Sequence, residues 1–158
     1  MRPDKALGIE KEGFGAYVKK LSEVAGMPIS SLKDFKQALS KRFDFFAEMG
    51  CKASDHALDY VVDVPATDEE LEEIFSARVA GKTVSDEGVL KYKTAFMKFA
   101  AAEYVRLDWA MQIHFGCKRD NNTTMFKKLG PDTGYDCIRN GQKAADLADF
   151  LNDVNETS

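Results

Sequence analysis

Two short stretches, residues 51–58 and 109–115, interrupt a chain whose other apolar positions recur at helical spacing. They limit the chain to folds that join strands through long helical connections. Residues 51–58 have too little room between their neighbours for another helix. They read as a short buried strand that finishes in the polar Ser54, Asp55 and His56. Residues 109–115 read as a second buried strand that carries Gln112 and His114, with a polar run from Lys118 to Thr124 after it. Before the first strand, Phe14, Tyr17, Val18, Leu21 and Val24 line one helix face, and Leu32, Phe35, Leu39, Phe43 and Phe46 line a second. Gly26-Met27-Pro28 separates these two helices, Ser30 or Ser31 caps the second, and Gly50 ends it. Residues 60–64 are strand-like or loop before Pro65. Thr67 with Glu70 forms a capping box. Ser85 caps a long aromatic helix from Val89 to Tyr104, with Gly88 standing where Glu or Gln would complete the box. Ala144, Leu147, Ala148 and Leu151 mark the last helix.

The expected organisation is one segment: a strand-end loop over 1–12, helices over 13–49, a strand over 51–58, a helical region over 66–106, a strand over 109–115, and loop and helix over 116–158. This order predicts an α/β piece, predominantly helical, with two short parallel strands. It contains no internal repeat, low-complexity tract or interdomain linker.

Composition narrows the partners. With 44% hydrophobic and 30% charged residues the chain reads as a soluble globular protein. A net charge of −4, with no block of Lys and Arg, argues against nucleic acid. The longest apolar runs fall short of a membrane span, and Arg2-Pro3-Asp4 after Met1 does not start a signal peptide. Cys51, Cys117 and Cys137 are odd in number and lack Cys-x-x-Cys spacing. They read as reduced thiols of a cytoplasmic protein, each a small core or near-core residue.

Both histidines lie at the polar ends of the two strands, where ligands gather in parallel α/β folds. A carboxylate and an imidazole converging there can move protons or orient hydroxyls. Plainer roles are open for each: Asp55 as a cap, His56 as a satisfied buried histidine, His114 as a core residue with one hydrogen bond, and the run 121–124 as a helix cap. The sequence has no Gly-rich phosphate loop, no Gly-x-Ser-x-Gly, no His-Glu-x-x-His and no His-x-His, so metal donors are few.

Residues 109–126, together with Leu129-Gly130-Pro131-Asp132-Thr133-Gly134-Tyr135-Asp136, resemble segments of the uronate isomerases. So do Gly50-Cys51-Lys52-Ala53-Ser54-Asp55-His56 and the opening Arg2-Pro3-Asp4-Lys5-Ala6. The likeness covers nearly the whole chain, with less signature between Pro65 and Val105. It implies a fragment of an amidohydrolase-like (β/α)8 barrel and the interconversion of D-glucuronate with D-fructuronate and of D-galacturonate with D-tagaturonate. It also implies a divalent metal, often zinc. The family's arginine after a barrel strand falls on Arg2, its Ser-Asp-His aspartate on Asp55 and its Gln-x-His histidine on His114. Asp55 and His114 are therefore the candidate catalytic residues, and Arg2 and Arg119 the candidate contacts to the sugar acid. The family's metal ligands, a His-x-His at the first strand and an aspartate at the last, have no match here, so the chain itself is expected to bind no metal. It is expected to be an internal, inactive portion of the enzyme that relies on its helices or on pairing with a second copy. A metal-dependent hydrolase of the same superfamily and a non-catalytic helical interaction module are the alternatives.

Overall fold

The protein is described here by a computed structural model over residues 1–61, 63–139 and 144–156. Val62, in the stretch expected to be strand-like or loop, and residues 140–143 and 157–158 of the expected loop and helix lie outside the described residues. The elements in chain order are α1 (Asp4–Leu7), α2 (Phe14–Ala25), α3 (Leu32–Glu48), β1 (Ala53–Ala57), α4 (Asp68–Val79), α5 (Asp86–Arg106), β2 (Ala110–His114), β3 (Cys117–Lys118), α6 (Thr123–Leu129), β4 (Cys137–Ile138) and α7 (Ala144–Glu156). The chain is thus mostly helical with two short parallel strands, as expected for a fragment of a barrel.

The expected caps form. The Ser31 side chain accepts from the Asp34 N–H while Asp34 closes the capping box, and Thr67 and Glu70 do the same. Ser85 accepts from the Gly88 N–H. Gly88 replaces the expected Glu or Gln for a steric reason. A Cβ there would stand 2.9 Å from Val84 Cγ1 and 3.5 Å from Ile74. Gly50 adopts φ 86° just past α3, the left-handed conformation that ends a helix without a Cβ penalty.

Packing follows from aromatic faces. Phe14, Phe35, Phe75 and Tyr92 bring α2, α3, α4 and α5 together, with ring centroids 5.1–6.2 Å apart. A second cluster of Phe43, Tyr104 and Trp109 joins α3 and α5 to the start of β2. On α7 the inward face is Leu147, Phe150 and Val154, with Phe150 buried, whereas Ala148 and Leu151 face solvent. Of the apolar residues that marked this helix in the sequence, Leu147 packs inward and Ala144, Ala148 and Leu151 are exposed. Lys98 on α5 anchors this helix by pairing with Asp153, and also with Asp63 at 2.7 Å.

Two elements went unforeseen in the expected loops. The four-residue α1 lies within 1–12, and its Ala6 and Leu7 are buried. The Tyr92 hydroxyl donates to the Ala6 carbonyl at 2.8 Å, and burial raises the Tyr92 pKa far above its ordinary value. Tyr92→Phe strands that carbonyl and should cost about 1–3 kcal/mol, readable as a lower urea midpoint. The second unforeseen unit is the antiparallel pair of β3 and β4. It places Cys137 on an exposed edge, which corrects the reading of all three cysteines as core or near-core. Cys51 and Cys117 are half-buried, and all three are free.

Candidate active site

Strand parity builds the site. β1 and β2 run parallel, with Asp55 opposite Gln112 and Ala57 opposite His114. Side chains alternate across a sheet. Ser54, His56, Met111 and Ile113 therefore turn toward the helices, while Asp55, Gln112 and His114 share the opposite, open face with Ala53, Ala57 and Ala110. The hydrogen bonds Ala110 N–H to Lys52 O and Leu58 N–H to His114 O hold this register at both ends.

Arg2 arrives from the other side of β1. The Met1 carbonyl accepts the Asp55 N–H at 2.9 Å, which sets the chain start alongside β1 and swings Arg2 over its end. Arg2 Nε lies 2.7 Å from Asp55 Oδ2 and 3.7 Å from Asp4 Oδ2. Asp4 Oδ1 in turn accepts the Ala57 N–H. His114 Nδ1 stands 2.6 Å from Asp55 Oδ1. Asp55 thus contacts both Arg2 and His114; it stands at the middle of β1 and not at its end, whereas His114 closes β2. Arg2 and His114 are each more than half exposed, so these pairs orient groups more than they stabilise the fold.

The structure does not bring Arg119 into this trio. Its guanidinium pairs with Asp136 at 3.0 Å and Asp132 at 3.7 Å across the β3–β4 unit. The Asp136 carboxyl is held below its ordinary value, first by the Asp120 N–H and then by Arg119. The run 121–124 begins a helix, with Asn122 capping α6. His56 is buried, but it is not the satisfied core histidine of the plainer reading, because neither ring nitrogen has a hydrogen-bond partner among the described residues. It is fully buried against Tyr104, with ring centroids 5.6 Å apart, and burial pushes its pKa down to about 4. Gln112 was noted only as a polar strand residue. Its amide nitrogen lies 2.9 Å from His114 Nε2. The Gln-x-His spacing held that signal, because residues two apart on a strand share a face.

Among the described residues, no three or more His, Cys, Asp and Glu side chains are grouped to hold a metal, so the donor set does not fit a metal centre. No described helix is long and apolar enough to cross a membrane.

A family model for glucuronate isomerase matches residues 1–158. The chain is 53% identical over 150 residues to a uronate isomerase of Endomicrobium trichonymphae, covering 95% of this chain and 32% of that protein. It is 51% identical over 156 residues to a uronate isomerase of Lachnoclostridium phytofermentans, covering 99% of this chain and 34% of the relative. The crystal structure of a uronate isomerase from Thermotoga maritima superposes with a TM-score of 0.87 at 33% identity, over 98% of this chain and 35% of that one. The chain spans about a third of the length of the curated relatives it matches.

Proposed function

Because this chain belongs to the glucuronate isomerase family, we propose that it supplies one wall of the active site of a uronate isomerase, with Arg2, Asp55 and His114 as the working residues. The reaction is aldose–ketose isomerisation of D-glucuronate to D-fructuronate and of D-galacturonate to D-tagaturonate. The observation that carries this reading is the convergence of the three side chains on one open sheet face.

Such a reaction moves a proton between C2 and C1 of the open-chain sugar through an enediolate. It needs proton transfer, charge stabilisation at the carbonyl oxygen and a grip on the sugar carboxylate. Arg2 supplies the grip, since a guanidinium offers a planar fork of donors to a carboxylate. His114 handles a proton beside the reacting carbons. Asp55 bridges the two and holds both in place. Arg119 contributes to sugar binding through the polar loop, with Asp136 and Asp132 aiming its guanidinium. The divalent metal, zinc by resemblance, has its ligands outside this chain, and no step here runs through it. The three free thiols suit a cytoplasmic enzyme.

The test is a chimera. Replacing the matched third of the Endomicrobium trichonymphae uronate isomerase by this chain should leave a folded enzyme that still converts D-glucuronate to D-fructuronate. A folded chimera without turnover would overturn the reading.

A further inference from the structure

Gln112 has no assigned role, yet it holds the one contact that decides how His114 can act. An amide nitrogen only donates. At 2.9 Å from the Gln112 amide nitrogen, His114 Nε2 must therefore accept. On the other side of the ring, Nδ1 stands 2.6 Å from Asp55 Oδ1, a close contact out of line for a hydrogen bond. With Nε2 an acceptor, the single proton of the neutral ring sits on Nδ1, beside the Asp55 carboxylate.

We infer that Gln112 is a positioning residue that fixes His114 as the neutral imidazole protonated on Nδ1, with Nε2 as an acceptor. A ring so held can take a proton at Nε2, and has none to give there until it has taken one. This deepens the proposed isomerase reading and rests on it for the role of His114, although the ring's state is independent of any sugar.

The fold makes the device rigid. Gln112 is the direct cross-strand neighbour of Asp55, and His114 follows two residues later on the same face. The charged groups around the ring are Asp55 from β1, with Arg2 and Asp4 behind it. The remaining neighbours on that face are the methyls of Ala53, Ala57 and Ala110. A neutral donor at Nε2 therefore discriminates where a carboxylate would not. It donates to the Nε2 lone pair and offers no negative charge that would hold a second proton on the resting ring.

The chain has only two histidines, which makes the state directly readable. In nitrogen-15 histidine spectra of the chain at pH 8, His114 should show a proton on Nδ1 and none on Nε2. Gln112→Glu puts an acceptor in place of the donor and should convert His114 to the doubly protonated ring at the same pH. Gln112→Leu removes the donor without adding charge and should mix in the Nε2–H form. In the chimera each variant should lower kcat for D-glucuronate by at least about tenfold, with KM changed far less. A proton on Nε2 in the unsubstituted chain, or unchanged His114 signals in Gln112→Glu, would overturn the inference. A silent chimera beside the expected spectra would instead sink the isomerase reading and leave the assignment of Gln112 standing.

Discussion

His114→Asn in the active chimera should lower turnover of D-glucuronate by about a hundred- to ten-thousandfold while leaving the fold intact. At 1.36 kcal/mol per decade that is about 2.7–5.4 kcal/mol of lost transition-state stabilisation. The loss should fall on kcat, because the proposed role of the ring is proton transfer and the proposed grip on the sugar carboxylate is Arg2. The fold should survive because His114 lies on the open face, more than half exposed, and fills no part of the core. Asparagine keeps a polar group at the position and can still meet Asp55, but it cannot shuttle a proton. Steady-state kinetics together with an unchanged circular dichroism spectrum check the prediction. Near-normal turnover would remove His114 from the chemistry.

The other histidine should govern acid stability. Burial lowers the His56 pKa from 6.5 to about 4, against a smaller opposing pull from the Asp55 charge. In the unfolded chain the imidazole takes up a proton near its ordinary value, whereas in the folded chain it resists until about pH 4. Between those limits the unfolded state binds more protons, so stability falls as pH falls. It is complete above pH 6.5 and is lost progressively down to about 4, by about 3 kcal/mol at 1.36 kcal/mol per unit. Urea midpoints measured across this window should show the slope, and His56→Asn should flatten it. An equal slope in the variant would show that carboxylates alone carry the acid sensitivity. The two imidazoles thus divide the work: the exposed ring is predicted to matter for rate and the buried ring for the pH range of the fold.

The parts legible in the sequence were those governed by local rules. Apolar spacing located the main helices, and Ser31 with Asp34, Thr67 with Glu70, and Ser85 marked their starts within a residue or two. The two strands and their parallel pairing followed from short runs between long helices, and this was enough to bring Asp55 and His114 together. The parts that escaped depend on distant partners. Nothing local favours a helix at Asp4–Leu7. It forms where Tyr92, 86 residues away, satisfies the Ala6 carbonyl. The β3–β4 pair joins two-residue strands across an irregular loop, and neither strand has a period to read. The ion pairs of Arg119 went unread because Asp132 and Asp136, its partners in the fold, lie a dozen or more residues on.

The alternation of side chains along β1 and β2 carries an evolutionary constraint. Helix packing and proton chemistry are interleaved residue by residue, so neither tract tolerates a frame change. A single inserted amino acid between Ser54 and Asp55 would turn His56 to the open face and drive a carboxylate into the hydrophobic interior. Drift in these tracts must proceed by exchange rather than by indel.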